Sequence, residues 1–150
     1  MLEITVDVLG IEDMMKSLEA TKADAIKVKS LKEAGTILKT AIEEATPEAA
    51  VPPTSESTAL PQGALKNDVE MHVSRSNHSV VVGYGKWTRH VARWLEFGFH
   101  RFKTGKFINA RIGFFRGAVE AALPEAQATL KESLLTNIAK AFKGGEIDAA

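Results

Sequence analysis

Four histidines are the residues of this chain whose side chains could most readily do chemistry. His72 and His78 flank a predicted hairpin turn, and His90 and His100 flank a predicted short helix. No two of them have the four-residue helical spacing of a zinc site, and no pair brackets a glutamate at the spacing of a zincin motif. The sequence also has no cysteine and no serine in a nucleophile-elbow motif. We therefore expect no catalytic residues, no metal and no cofactor, and a protein that is not an enzyme.

Glu96 is the other candidate, because it lies in the apolar stretch Val91-Ala92-Arg93-Trp94-Leu95-Glu96-Phe97-Gly98. A carboxylate that is partly buried needs a partner. Arg93 lies three residues earlier on the same helical face. Other arginines that could reach Glu96, from the same subunit or the next, are Arg101, Arg111 and Arg116. Glu96 therefore has two interpretations, a subunit contact or an internal ion pair. If it forms a contact, Glu96→Ala should weaken assembly more than folding.

The charge of the chain is zero overall but is unevenly distributed. Residues 86–116 carry eight basic residues against Glu96 alone, a net charge of +7, whereas residues 1–50 carry −4. The folded protein could therefore have two faces of opposite sign, or the charges could mix on an ordinary surface. Lys103 and Lys106 lie in a basic loop and are candidates for contact with DNA phosphates. A solvated loop is the alternative.

The hydrophobic pattern predicts an alternation of strands and helices that must position these residues. Two-residue periodicity predicts strands, and three-to-four-residue spacing of apolar residues predicts helices. In chain order we predict a strand at 2–9, helix at 11–45 in one or two pieces, a proline-containing connector at 47–63, a hairpin with strands at 68–73 and 79–83, a short helix at 87–97, a basic loop at 99–113, and a helix at 114–142.

This order indicates an α+β fold, in which a small antiparallel or mixed sheet packs against a long N-terminal and a long C-terminal helix. One domain should span residues 1–150. The loops at 47–63 and 99–113 are candidates for mobile segments, and 144–150 for a frayed tail. Gly35 should weaken its helix unless something packs closely there, and Pro124 should kink the last helix or begin a new segment. The acidic N-terminus and the lack of a long apolar run lead us to expect a soluble, cytoplasmic protein without membrane contact.

Several landmarks, taken in order, resemble the small neck and tail-completion proteins of long-tailed bacteriophages. A strand leads through Gly10 into a long helix, and Gln62-Gly63-Ala64-Leu65 stands where that family has a Thr-Gly-x-Leu step. The hairpin ends on Val82-Gly83. Residues 91–98 then match the family's Glu-Phe-Gly-Thr region, and Gly113-Phe114-Phe115-Arg116-Gly117-Ala118 takes the place of its Pro-Phe-x-Arg-Pro-Ala step. Phe99 replaces the threonine, and glycines replace both prolines.

The resemblance implies a structural protein of the virion at the head–tail joint, either a neck or tail-completion protein or a tail terminator. Such proteins are homo-oligomeric rings, commonly hexamers, that contact head-connector and tail-tube proteins and assemble in the host cytoplasm. The residues that we predict at the interface between subunits or with these partners are Glu96, Phe97, Phe99, Arg101, Phe107, Phe114 and Arg116. Lys103 and Lys106 could face the lumen and touch passing DNA without reading its sequence. The alternative function is a small nucleic-acid-binding module that uses the basic segment.

Overall fold

The computed structural model describes residues 2–5, 20–48, 61–100, 103–108 and 111–143. These residues form two long helices and a small antiparallel sheet, which confirms the predicted α+β fold class. In chain order the elements are β1 (Leu2–Thr5), α1 (Ala20–Ala45), α2 (Ala64–Asn67), β2 (Val69–Ser74), β3 (Ser79–Tyr84), α3 (Arg89–Phe97), β4 (Phe99–His100), β5 (Phe107–Ile108) and α4 (Phe114–Phe142).

The main sheet has three antiparallel strands in the order β1-β3-β2, with β3 in the centre. The register pairs Leu2 with Val82 on one side of β3, and Val69 with Tyr84 on the other. Val80 and Val82 of β3 are fully buried, as expected for alternate residues that face a core. The predicted β-branched strand therefore forms the middle of the sheet.

The core lies between this sheet and the two long helices, which also pack against each other. α1 contributes Ile26, Leu31, Ala34, Leu38 and Ile42, all at most 1 % exposed. The corresponding residues of α4 are Val119, Ala122, Ala126, Leu130, Leu134 and Ile138. These positions follow helical spacing, which confirms both predicted apolar stripes.

α4 is one helix from Phe114 to Phe142 and continues through Pro124. The prediction of a second segment beginning at this proline is therefore wrong. Ala122 and Ala126 are buried in the same core on either side of Pro124, so both parts of the helix pack against it, and the predicted kink stays a prediction. The free energy gained by burying this helix in the core exceeds the local cost of the backbone hydrogen bond that Pro124 cannot donate.

Two short features were not predicted. Residues 99–113 were expected to be a loop, but Phe99 pairs with Ile108 and His100 with Phe107 in a two-stranded ribbon. The helix α2 lies between the expected connector, which ends at residue 63, and the first hairpin strand. Two-residue strands and a single helical turn are too short to produce a periodic pattern.

Some predictions fall outside the described residues. They include the strand beyond Thr5, the helix before Ala20, most of the connector, and the tail at 144–150. The single-domain and loop-mobility predictions stay predictions. None of the helices in the described residues is long and apolar enough to cross a membrane.

Candidate functional site

An open, mainly apolar groove of about 720 Å³ lies between α3 and the first turns of α4. Its apolar lining includes Tyr84 at the end of β3. The other apolar side chains that line it are Ala92, Phe97, Phe115 and Val119. Its basic side chains are Arg89, Arg93 and Arg116, each of them exposed. The groove thus combines an apolar surface with a positively charged rim.

A close backbone contact sets the position of α3 at the edge of this groove. The N–H of Gly85 donates to the carbonyl of Asp68 at 3.0 Å, and the Thr88 hydroxyl donates to the Asp68 carboxylate at 2.6 Å. A Cβ at position 85 would stand 2.6 Å from both oxygens of that carboxylate. A side chain at position 85 would displace this carboxylate from Thr88, so glycine is favoured where β3 leaves the sheet and α3 begins.

Gly98 ends α3 with φ 75° and ψ 171°. The extended ψ places Gly98 outside the left-handed helical conformation that often ends a helix. This region of backbone space is essentially restricted to glycine, and it turns the chain directly into the strand β4.

Glu96 caps the N-terminus of α4. The backbone N–H of Phe115 donates to its Oε2 at 2.8 Å, and that of Arg116 to its Oε1 at 3.2 Å. The Glu96 carbonyl also accepts from the N–H of Gly113 at 3.0 Å. The first N–H groups of a helix have no partner inside the helix, and negative charge is favourable there. Glu96 is only 8 % exposed, so its buried charge is satisfied by the backbone of α4.

The predicted arginine partners of Glu96 do not take this role in the described part of the chain. The Arg116 guanidinium instead donates to Glu120 at 2.8 Å, and this hydrogen bond raises the pKa of Arg116. Arg93 and Arg111 are exposed, and Arg101 lies outside the described residues. The expectation that the carboxylate needs a partner is thus confirmed, whereas the partner differs from the internal ion pair that we considered. A contact with a neighbouring subunit stays a prediction.

Tyr84 links the groove to the rest of the domain. Its hydroxyl is 2.6 Å from the Thr46 hydroxyl, which itself donates to the Ile42 carbonyl. Because the single Thr46 proton is used there, Tyr84 is the donor of the pair. Its ring packs against Phe114 and Phe115, with centroids 6.4 and 5.9 Å away. The end of β3 is therefore tied to both α1 and α4.

Tyr84 should ionise at unusually high pH. Burial raises its pKa to about 12, and the charge of Glu96 adds to this effect, whereas the hydrogen bond with Thr46 opposes it. A pKa raised in the folded state gives stability that is complete below the ordinary value near 10 and is lost as pH rises through about 12. Because Tyr84 is the only tyrosine, an absorbance titration of tyrosinate reports this residue alone. A midpoint near pH 10 in folded protein would contradict its burial.

Large aromatic side chains are exposed beside the groove. Trp87 is 77 % exposed, Phe97 68 %, Phe107 45 % and Trp94 42 %. Some of these rings contact each other or a histidine: Trp94 lies 5.2 Å from His90 and 5.8 Å from Phe99, and Phe107 lies 5.1 Å from His100. A surface with this much exposed aromatic area is typical of a site that contacts another macromolecule.

The predicted interface residues that the structure describes do not form one cluster. Glu96, Phe97 and Arg116 line the groove, and Phe114 lies behind Tyr84. Phe99 and Phe107 belong to the β4–β5 ribbon. Lys103 and Lys106 are exposed between its two strands, and Arg101 falls outside the described residues.

Three residues of this surface were missed by sequence reasoning. Trp94 was assigned to the buried face of α3 with Val91, because the spacing of three residues suggests one face. It is half exposed, and the small residue Ala92 is buried instead. Arg89 was counted only as part of the basic segment, and Arg93 was considered only there and as a partner of Glu96, so neither was predicted to line a groove. The signal that could have found them was their spacing of four residues on one helix.

The histidines do not form a metal site. In the described part of the chain no group of three or more His, Cys, Asp or Glu residues could hold a metal ion. His78 has a role in the fold: its Nε2 lies 2.5 Å from Oδ1 of Asp24, which joins the hairpin turn to α1. His90 contacts the ring of Trp94 in an edge-to-face arrangement, and His100 contacts the ring of Phe107 at a tilt.

A domain that combines exposed aromatic side chains with a basic apolar groove belongs to the class of proteins that act through contacts with other macromolecules. Residues 11–98 match the family described as "Bacteriophage HK97-gp10, putative tail-component". The chain belongs to this family of bacteriophage tail components, which makes it a protein of the virion. No curated protein and no solved structure matches the chain.

This membership confirms the resemblance to small neck and tail-completion proteins that the ordered motifs indicated. The matched segment begins before α1 and ends at Gly98, the last residue of the motif around Glu96. It therefore includes the sheet hairpin and α3. The basic segment beyond Gly98 and the helix α4 lie outside it, although α4 supplies the other wall of the groove.

Proposed function

We propose that this tail component is a structural protein of the head–tail joint, a neck, tail-completion or tail-terminator protein that forms a ring of about six subunits. Its work is self-association together with docking to the head connector and the tail tube. It assembles in the host cytoplasm and performs no catalysis.

The observation that supports this proposal best is the surface around the groove. Trp87, Trp94, Phe97 and Phe107 are all more than 40 % exposed, and they lie in the same stretch of chain as the basic groove rim. Exposed aromatic residues and arginines are enriched where protein interfaces gain most of their energy. In a family of tail components, the partners of such a surface are other virion proteins or further copies of the chain.

Light scattering across a series of protein and salt concentrations tests the ring. We expect a species of about six subunits at high protein concentration, because a closed ring uses a head-to-tail interface on every subunit. A mass that rises without a limit would indicate an open filament instead. A monomer under all conditions, with no binding to purified tail tubes or head connectors, would contradict the proposal.

A nucleic-acid-binding module is the second candidate, and the exposure of the basic residues favours it. The exposed bases of the segment are Lys86, Arg89, Arg93, Lys103, Lys106, Arg111 and Arg116. Within a ring the same residues, Lys103 and Lys106 in particular, could line the lumen and contact DNA without sequence preference.

Fluorescence anisotropy with duplex DNA distinguishes this candidate. Binding through several phosphate contacts should fall steeply as salt rises. The charge-removing change Lys103→Gln with Lys106→Gln should reduce the salt dependence, and Lys131→Gln with Lys140→Gln, at exposed positions of α4, provides the matched control. No binding at low salt would remove this candidate.

A further inference from the structure

The groove between α3 and α4 is suited to an acidic, apolar segment of polypeptide. Its lining contains three arginines and one acid, and that acid, Glu96, is engaged by the helix N-terminus. The charge left at the rim is therefore positive, while the floor is apolar. An amphipathic helix that carries acidic residues beside its apolar face would satisfy both features.

The chain itself contains a segment with this chemistry. Residues 11–19 carry Glu12, Asp13 and Glu19 against Lys16, a net charge of −2. Apolar residues recur at helical spacing in the same stretch; they are Ile11, Met14, Met15 and Leu18. Arg116 is paired with Glu120. The other two arginines of the groove, Arg89 and Arg93, carry positive charge that complements the negative charge of this segment.

The described residues that flank this segment lie at the end of β3 opposite the groove. Residues 6–19 connect β1 to α1. β1 ends at Thr5, which pairs with Ser79, and Asp24 near the start of α1 contacts His78. The groove instead includes Gly83 and Tyr84, at the other end of β3. At the rise per residue of a strand, this end lies roughly 17 Å from Ser79.

We infer that the groove of one subunit receives the acidic segment 11–19 of a second copy. Two different and complementary surfaces on one subunit give a heterologous, head-to-tail contact. This is the contact that a ring requires, so the inference rests on the proposed function and names the two surfaces that meet. α3 supplies the cationic side of the groove through Arg89 and Arg93, and Phe97 supplies exposed apolar area.

Charge exchange between the two surfaces tests this contact. One variant carries Arg89→Glu and Arg93→Glu, and the other carries Glu12→Lys and Asp13→Lys. Each alone should associate at least about tenfold more weakly than the wild type, because like charges then face each other. An equal mixture of the two should recover association, because every groove again meets a segment of opposite sign. Circular dichroism confirms that each variant is folded.

The matched control carries Lys131→Glu and Lys140→Glu, which makes the same charge change at exposed positions of α4. It should associate like the wild type. If the mixture does not recover association, the inference is wrong. Mixing restores a contact between two copies, whereas it cannot restore a contact within one chain. If either charge-exchange variant alone forms the same ring as the wild type, the inference is also wrong, but the proposed function stays intact.

Photo-cross-linking covers the case of weak association. A benzophenone amino acid at position 97 should cross-link to residues 11–19 of an isotopically labelled second copy, with a yield that rises with concentration. Cross-links to the same chain, to other segments or to none at the highest soluble concentration would contradict the inference. If no self-association and no binding to tail or connector proteins occur either, the proposed function fails as well.

Discussion

Replacing Glu96 with alanine should lower the free energy of unfolding by about 2–3 kcal/mol. The change removes a carboxylate that accepts from the N–H groups of Phe115 and Arg116. Hydrogen bonds to charged groups contribute about 1.5–3 kcal/mol, and losing an N-cap typically costs about 1 kcal/mol. Because Glu96 is buried, bulk water cannot replace the lost carboxylate as an acceptor unless the surrounding residues rearrange. For a chain of this length the melting temperature should fall by roughly 5–10 °C.

Thermal and denaturant unfolding of Glu96→Ala and Glu96→Gln measure this effect. The glutamine variant keeps one acceptor oxygen but loses the charge, so its stability should be intermediate. Glu120→Gln is the matched control, because Glu120 pairs with Arg116 at the surface of the same helix turn. An exposed pair of this kind contributes at most about 0.5 kcal/mol. Equal losses in the Glu96 and Glu120 variants would contradict the capping role.

The same variant separates the two roles of Glu96. The sequence led us to expect that Glu96→Ala weakens assembly more than folding. The structure adds a folding role, because the carboxylate joins α3 to α4 at the base of the groove. If assembly is lost only in proportion to the unfolded fraction, Glu96 acts as a cap. If assembly is lost at temperatures where the variant is fully folded, it also contributes to the interface.

The elements that could be predicted are those whose pattern repeats over many residues. α4 was predicted with its observed bounds, because its apolar positions recur over eight helical turns. β3 was recognised by its run of β-branched residues, Val80-Val81-Val82. In both cases local preference and core burial favour the same structure, so the element can be predicted from a single sequence.

Contacts between distant parts of the chain could not be predicted in this way. Periodicity showed that Glu96 needs a partner, but the backbone of α4 supplies that partner, and any sequence has backbone N–H groups. The exposure of Trp94 likewise depends on which face of α3 turns inward, and that face carries Val91 and Ala92, which cluster with Leu65. Such features follow from packing between elements, which leaves no local signal.

Two glycines in helices should respond in opposite directions to the same change. Gly35→Ala should destabilise the protein by about 1–3 kcal/mol, although alanine is the better helix former. A Cβ there would stand 2.6 Å from Sδ of Met71 and 2.6 Å from Cγ2 of Val80. Met71 is flexible and can move, but Val80 is fully buried in the central strand and has a stiff side chain. The close packing anticipated for Gly35 is thus confirmed, and it sets the distance between α1 and the sheet.

Gly117→Ala is the matched control for this prediction. A Cβ at position 117 meets nothing within 4 Å, and the residue is exposed in the first turns of α4. The substitution should therefore stabilise the protein by about 0.5–1 kcal/mol. Denaturant unfolding of both variants measures the two signs. If Gly35→Ala also stabilised the protein, α1 would have room to move away from Val80. The close approach of helix and sheet would then not explain the glycine at this position.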